Sequence, residues 1–127
     1  MQCGGIRGAI IVPVNNKESI IATTKDLLRE MVQANEIETD DIAAILFTTT
    51  SDLNAEFPAA ATQELGWPQY IALLCGHEMN VASDLPRCLR ILMLANTEKR
   101  PEEIIHVYLG EAKKLKEKTS APIGGNT

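Results

Sequence analysis

The fold of this chain is decided by one stretch, residues 86–96, which reads PRCLRILMLAN. Residues 89–95 are apolar apart from one arginine, and they predict a strand that is buried on both faces. Because side chains alternate along a strand, Arg90 shares one face with Leu92 and Leu94. Arginine stays protonated in proteins, and an unpaired buried charge costs several kcal/mol. We therefore expect an anion to meet Arg90, either from the protein or from a ligand.

The composition indicates a single soluble domain. The chain has 127 residues, 45% of them apolar and 23% charged, which is usual for a globular protein with a sizeable core. Its net charge of −5 argues against nucleic acid or an anionic membrane surface as the main partner. No apolar run reaches the roughly 18 residues of a transmembrane helix, and the N-terminus lacks the pattern of a signal peptide.

The cysteines and histidines give little sign of a metal site. Cys3, Cys75 and Cys88 are odd in number and lack paired ligand spacing, so we interpret them as reduced thiols in a cytoplasmic protein. His77 and His106 stand far apart with no second ligand pair, so we expect no metal, and we expect His106 to be a hydrogen-bonded structural residue. The chain also lacks a Gly-rich phosphate loop and a nucleophile elbow.

The rest of the chain predicts four more strands and one long helix. Besides the strand at 89–96, strands are expected at residues 5–12, 42–50, 70–75 and 104–109. The helical spacing of apolar residues, with Asn16 as N-cap and Asn35 near the end, predicts a helix at 17–35. A short helix at 59–65 is expected to end at Gly66, and residues 76–80 are expected to form a polar loop.

These elements predict an α+β fold, a five-stranded mixed sheet with the long helix on one face. One helix can cover only one face of such a sheet, yet three of the predicted strands are apolar on both faces. Another copy of the chain would bury the second face, so we expect a homo-oligomer with sites at its subunit junctions. Residues 1–115 are expected to form the domain, and residues 116–127 a mobile tail.

Four polar residues in or beside the predicted strands are candidates for chemistry: Arg7, Glu78, Arg90 and Tyr108. As a structural alternative, the arginines could form ion pairs with Glu78 or Asp84, and Tyr108 could be an ordinary sheet residue. One shared carboxylate, however, cannot satisfy two buried arginines. The excess of positive charge favours a pocket for a small anionic molecule.

Five short motifs form a set along the chain: GIRGA at 5–9, FPA at 57–59, CxxE at 75–78, RxxR at 87–90 and HVYL at 106–109. In this order and spacing they resemble the AroH class of monofunctional chorismate mutases, over about residues 4 to 116. The resemblance implies a homotrimer whose sheets form a pseudo-α/β-barrel with active sites between subunits. It also implies the Claisen rearrangement of chorismate to prephenate, on the shikimate route to phenylalanine and tyrosine, without cofactor or metal.

The resemblance implies a role for each site residue, because this rearrangement needs positioning and electrostatic stabilisation but no proton transfer or nucleophile. Arg90 would donate to the ether oxygen of chorismate, and Glu78, with Cys75 beside it, would orient Arg90 and accept from the ring hydroxyl. Arg7 and Tyr108 would hold a carboxylate. The expected substrate-binding residues are Phe57 and Ala59, from the neighbouring subunit, and Leu73, Leu74, Leu115 and Lys116.

The sequence differs from the family pattern at three positions that the resemblance implies lie at the mouth of the site. Ala60 stands where lysine is frequent, and Gln63 and Lys116 stand where arginine is frequent. Substrate capture is therefore expected to be weaker, or to depend on lysines near the C-terminus. The tail could then close over bound substrate, which truncation after Leu115 would test.

Two other functions stay open on the sequence alone. One is a non-catalytic trimeric sensor that binds a small anionic metabolite. The other is a protein of the imine-deaminase-like family, which uses a similar trimeric barrel with clefts between subunits. Binding of chorismate without turnover would indicate the sensor.

Overall fold

The structure is a computed structural model, and it describes residues 1–81 and 85–115. Strands and one long helix make up most of this part, as the sequence predicts. The strands are β1 (Gln2–Ile11), β2 (Ile42–Thr49), β3 (Ala72–His77), β4 (Cys88–Thr97) and β5 (Val107–Tyr108), and the α-helices are α1 (Lys17–Ala34) and α2 (Ala60–Glu64). Single 3₁₀ turns occupy Thr39–Asp41, Pro101–Glu103 and Gly110–Ala112. Neither α1 nor α2 combines the length and the apolar character needed to cross a bilayer.

The strands form one mixed sheet in the order β3-β2-β4-β1-β5. Strand β4 is antiparallel to both of its neighbours, β1 and β2. The two outer pairs, β1 with β5 and β2 with β3, are parallel. The stretch at residues 86–96 therefore supplies the central strand, and the predicted α+β class with a mixed sheet is confirmed.

Helix α1 covers one face of the sheet and supplies much of the core. The buried side chains of this core include Leu27, Leu28 and Met31 from α1, Ile45 and Phe47 from β2, and Leu89, Ile91 and Met93 from β4. The helix lies close to β1 at Gly8, where an added Cβ atom would lie 2.5 Å from Sδ of Met31 and 3.2 Å from Cδ1 of Leu27. The missing side chain at Gly8 lets the helix lie this near the strand.

The predicted helix ends are confirmed by their capping. The Oδ1 atom of Asn16 accepts from the Ser19 N–H at 2.8 Å, and Asn35 follows α1 as its C-cap. Gly66 follows the short helix α2 with a φ of +72°. Glycine adopts this left-handed conformation without steric cost, so the helix ends there.

The residues that the structure describes leave much of the second face of the sheet uncovered. In the register, Arg7, Leu92, Leu46 and Leu74 lie side by side on β1, β4, β2 and β3. The side chains of Leu92 and Leu74 are 38% and 64% exposed. The apolar residues on both faces of β2, β3 and β4 agree with the prediction, and among the described residues one face is fully covered.

The C-terminal segment covers one end of that second face. Residues 110–115 turn back over the sheet, and Ala112 and Leu115 pack there against Ala9 and Cys88. Leu115 is 3% exposed as a result. The second face is therefore closed at one end by residues 110–115 and open at the other.

The predicted boundaries of β3 were wrong. The strand was expected at residues 70–75, followed by a polar loop, but it runs from Ala72 to His77. Thr48 and Thr49 of β2 pair with Gly76 and His77. Gly76 and His77 therefore extend β3, although the sequence placed them in the loop. A parallel neighbour can extend a strand in this way beyond the apolar residues that mark it in the sequence.

The prediction of a last strand over residues 104–109 was wrong in extent, because β5 has only two residues, Val107 and Tyr108. The backbone of Ile105 is occupied by the side chain of Asn35 instead. Its N–H donates to Oδ1 at 2.7 Å, and its carbonyl accepts from Nδ2 at 2.8 Å. A side-chain amide thus replaces the strand pairing that the apolar residues led us to expect.

Replacing Asn35 by alanine is expected to lower the thermal stability. The side chain is fully buried, and its Nδ2 also donates to the Met31 carbonyl at 2.9 Å. Its loss removes three hydrogen bonds, each of which contributes roughly 0.5–1.5 kcal/mol to stability. Thermal unfolding should show a Tm lower by about 5–15 °C.

The matched control for this measurement is Glu30→Ala, at an exposed position on the same helix. Both variants should be compared with the wild type at one protein concentration, because self-association would raise the Tm. An Asn35→Ala variant that melts with the control would contradict the role of this amide.

Candidate active site

A hollow on the uncovered sheet face brings together three predicted site residues. It has a volume of about 320 Å³, and its lining includes Arg7, Arg90 and Tyr108 together with Ala9, Leu46, Thr48 and Leu92. In the register, Ala9 pairs with Arg90 on one side and with Tyr108 on the other. The sheet therefore sets two guanidinium groups and a phenol around one depression.

Among the residues that the structure describes, Glu78 supplies an anion that meets Arg90. The Nε atom of Arg90 lies 3.2 Å from Oε2 of Glu78, and the two side chains are 35% and 13% exposed. Glu78 directly follows β3, and its N–H donates to the Thr49 carbonyl at 2.9 Å, which fixes it beside β2. The prediction that an anion meets Arg90 is confirmed, with a carboxylate of the protein in that position. A guanidinium carries further donors on its two terminal nitrogens, so it can also bind a second anion.

A hydrogen-bonded clamp holds the start of β4, just before Arg90. The Arg87 N–H donates to both carboxylate oxygens of Asp52, at 3.0 and 3.2 Å. The Thr50 hydroxyl donates to Asp52 and accepts from the Cys88 N–H at 2.9 Å. Arg87 has a φ of +48°, a conformation that is uncommon for any residue other than glycine. The clamp thus holds a strained corner that sets where β4 begins.

Phe57, Ala59 and Cys75 lie on the other side of the sheet. Cys75 pairs with Phe47, a core residue beneath α1, so its side chain points away from the face that carries Arg90. Phe57 and Cys75 line a separate cavity of about 380 Å³ together with Thr49, Asn54, Glu56 and His77. Burial raises the pKa of the Cys75 thiol, although a backbone hydrogen bond with Ala59 acts in the other direction. The thiol is therefore protonated at neutral pH, and it is not an activated nucleophile.

The remaining predicted residues are divided between the same two sides. Leu74 is exposed on the open face, in the row of Arg7, while Leu115 is buried in the small cluster that also contacts Tyr108. Leu73 lies on the opposite side, where it lines a hollow near Trp67 at the edge of the sheet. Lys116 lies outside the described residues.

Sequence reasoning missed Thr48 as a residue of the hollow. It lies on β2 directly opposite Arg90 and lines the same depression. The alternation of β2 would have revealed it, since Thr48 shares a face with Leu46. His77 was also misread as a loop residue, whereas its Nδ1 lies 3.1 Å from the Thr49 hydroxyl across two paired strands.

His106 is hydrogen-bonded within the sheet, as the sequence analysis expected. Its Nδ1 atom accepts from the backbone N–H of Arg7 at 2.9 Å. The histidine thus acts on the strand that carries Arg7.

Within residues 1–81 and 85–115, no three His, Cys, Asp or Glu side chains are grouped as they would be around a metal ion.

Comparison with known proteins assigns this arrangement to a family. A family model described as chorismate mutase type I matches residues 3–119. The chain belongs to that family. Its activity is therefore that of a chorismate mutase, an isomerase that rearranges chorismate to prephenate. The assignment favours this enzyme over the sensor and the imine-deaminase-like alternatives.

Individual relatives of the chorismate mutase family agree over most of the chain. The chorismate mutase AroH of Bacillus subtilis (strain 168) is 38% identical over 109 residues, which is 86% of this chain and 86% of that protein. The chorismate mutase AroH of Thermus thermophilus is 42% identical over 113 residues, 88% of this chain and 92% of that protein. A solved chorismate mutase from Clostridium thermocellum superposes with a TM-score of 0.84 at 45% identity, and covers 87% of this chain and 97% of that one.

Replacing Asp52 by asparagine is expected to lower the Tm in a pH-dependent way. Burial acts to raise the pKa of Asp52, but hydrogen bonds from Thr50 and the Arg87 N–H outweigh it, so the pKa lies below 3.8. A lowered folded pKa stabilises the protein above the unfolded value, and this contribution is lost as the pH falls through the folded value. We expect a Tm about 2–5 °C lower at pH 7, with the difference shrinking below pH 3.8.

The control for this variant is Asp26→Asn, which removes an exposed carboxylate from α1. It should leave the Tm nearly unchanged across the same pH range. A constant Tm difference between Asp52→Asn and the wild type at every pH would show that the carboxylate charge does not stabilise the corner.

Proposed function

We propose that the hollow around Arg7, Arg90 and Tyr108 binds chorismate and accelerates its rearrangement by fixed charge alone. The observation that carries this proposal is the contact of 3.2 Å between Arg90 Nε and Glu78 Oε2 on the open sheet face. This ion pair restrains the guanidinium before any substrate arrives. A preorganised donor of this kind stabilises charge that develops during the reaction without having to reorient.

The chemistry accounts for the choice of arginine at position 90. As chorismate rearranges, its ether bond lengthens ahead of carbon–carbon bond formation, and negative charge grows on the ether oxygen. With Nε held by Glu78, the terminal nitrogens of Arg90 would donate to that oxygen and to a substrate carboxylate. No proton moves and no covalent intermediate forms, which agrees with the protonated state of the Cys75 thiol.

Arg7 and Tyr108 would bind a carboxylate of the same substrate. They stand on neighbouring strands and line the hollow with Arg90. Chorismate carries two carboxylates, so the two guanidinium groups would match its charge. Glu78 would accept a hydrogen bond from the ring hydroxyl in addition to orienting Arg90.

A second copy of the chain would complete the site. Phe57, Ala59 and Cys75 lie on the far side of the sheet from Arg90, so within one chain their side chains do not line the hollow. We propose that these residues, with Leu73 and Leu74, wall the hollow of a neighbouring subunit. The arrangement would be the homotrimeric pseudo-α/β-barrel expected from the sequence, with Cys75 contributing through its backbone.

The exposed apolar row on the open face supports such an assembly. Leu92 and Leu74 remain 38% and 64% exposed beside Leu46 and Leu94. An apolar patch of this kind marks an interaction surface. Burying it between subunits would also exclude water from the hollow beside it, which strengthens the charge interactions there.

Two further parts of the proposal concern the chain end and the location. Leu115 packs beside Tyr108, so a segment continuing through Lys116 would start near the hollow and could close over the substrate.

Cys3, Cys75 and Cys88 are free thiols, which fits the reducing cytoplasm.

Replacing Arg90 by lysine tests the proposed mechanism. Lysine keeps the positive charge but loses the planar fork, so it cannot contact Glu78 and the ether oxygen together in fixed geometry. We expect kcat/KM for chorismate to fall by about 10²–10³ or more, mostly through kcat. The loss of the diene absorbance of chorismate measures the rate.

The matched control is Arg29→Lys, on the exposed surface of α1. It makes the same chemical change away from the hollow, and its kcat/KM should equal that of the wild type. If Arg90→Lys also retained wild-type kcat/KM, the assignment of Arg90 to the ether oxygen would be wrong.

Replacing Leu74 by aspartate tests the assembly. Its side chain is 64% exposed in the single chain, so the change should leave the folded protomer intact while placing a charge in the proposed interface. Light scattering after gel filtration should give about three times 13.9 kDa for the wild type and a smaller mass for the variant. Val14→Asp, at an exposed loop position, should keep the wild-type mass. A wild type with the mass of a single chain would contradict the trimer.

A further inference from the structure

The backbone of β1 is held at Arg7 by a side chain instead of a strand. Strand β5 pairs with β1 only at Gly8 and Ala9, through Val107 and Tyr108. One residue earlier, the Arg7 N–H finds its acceptor in the imidazole of His106, at 2.9 Å from Nδ1. The imidazole therefore takes the place of a backbone acceptor, at the point where the segment before β5 no longer pairs with β1.

The position of His106 is itself fixed by the end of helix α1. The buried amide of Asn35 binds both the N–H and the carbonyl of Ile105, at 2.7 and 2.8 Å. Its Nδ2 also donates to the Met31 carbonyl, one turn back in α1. The residue before His106 is thus tied to a rigid helix, which directs the imidazole towards β1.

The hydrogen bond defines the chemical state of the imidazole. A ring nitrogen that accepts a hydrogen bond carries no proton, so Nδ1 is the bare nitrogen and Nε2 carries the proton in neutral His106. Leucine at this position would lack the acceptor. Asparagine would keep one, because its Oδ1 is attached to Cγ as Nδ1 is in histidine.

We propose that His106 is a positioning residue for the substrate carboxylate site, which it serves by fixing β1 at Arg7. The inference rests on the proposed function, in which Arg7 and Tyr108 share one carboxylate. These two side chains stand on different strands that pair over only two residues. The imidazole adds a further tie between the two segments at Arg7 itself. His106 lies only two residues before Tyr108 in the chain. It thereby sets the distance between the two carboxylate ligands.

The test compares His106→Leu with His106→Asn in steady-state kinetics. Loss of the acceptor loosens β1 at a residue that binds the substrate, so His106→Leu should raise KM for chorismate about five- to tenfold, with kcat changed less than about twofold. His106→Asn should restore KM to within about twofold of the wild type, because it keeps the acceptor.

A stability control separates positioning from a general loss of structure. Ile20→Val shortens a buried side chain of α1 that faces the core and lies outside the hollow. It should lower the Tm but leave KM unchanged. A purely structural role for His106 predicts the same behaviour for His106→Leu, and that result would overturn the proposal.

Nitrogen NMR of the wild-type protein gives a readout that is independent of activity. It should show His106 with an unprotonated Nδ1, and the amide of Arg7 should exchange faster with solvent in His106→Leu than in His106→Asn. A protonated Nδ1 in the neutral ring, or equal exchange in the two variants, would overturn the hydrogen bond and the proposal with it.

The outcomes also separate this inference from the proposed function. An active wild type with unchanged KM in His106→Leu would overturn the inference and leave the proposed function standing. A wild type that does not turn chorismate over would overturn the proposed function, and with it the substrate named here. Equal KM increases in the leucine and asparagine variants would also contradict a role for the acceptor.

Discussion

The five-stranded sheet has one long helix on one face, and the other residues that the structure describes leave much of its second face uncovered. Here α1 covers the face of Leu89, Ile91 and Met93, and residues 110–115 cover only one end of the other face. The hollow with Arg7, Arg90 and Tyr108 lies beside this covered end. The apolar side chains around the hollow and the charged ones within it therefore follow from the same constraint. They lie on a surface that the proposed neighbouring subunit would cover.

The ties that hold the proposed catalytic groups act mostly on the backbone. Asp52 and Thr50 hold the corner before β4, and His106 holds β1 at Arg7. The contact between Glu78 and Arg90 acts on a functional side chain itself. The proposed reaction needs fixed charge but no proton transfer. This arrangement suits it, because each strand sets the position of the arginine that it carries. Mobile loops would have to be ordered each time a substrate binds.

Periodicity predicted most of the fold, and long-range side-chain contacts explain what it missed. The apolar run at residues 89–95 predicted the strand that lies at the centre of the sheet, and the cap at Asn16 predicted the start of α1. The two-residue length of β5 depends on Asn35, which is remote in sequence from Ile105 and shows no local sign of the contact. Alternation likewise tells which residues of one strand share a face, but not on which side the loop with Phe57 will lie. The site was predicted as a set of residues, and their division between two sides of the sheet was not.

The pairing of β4 with β1 also sets the order in which the strands of the sheet can pair during synthesis of the chain. The first strand of the chain pairs with β4 along its whole length, from Gln2 opposite Thr97 to Ile11 opposite Cys88. Strand β1 therefore has no neighbour in the sheet until the last third of the chain has left the ribosome. Until then the backbone N–H and C=O groups at its edges are unpaired, and α1 has no complete sheet to pack on. Folding therefore depends on the late pairing of β1 with β4, which are far apart in the chain. We expect it to be slow for a protein of this size.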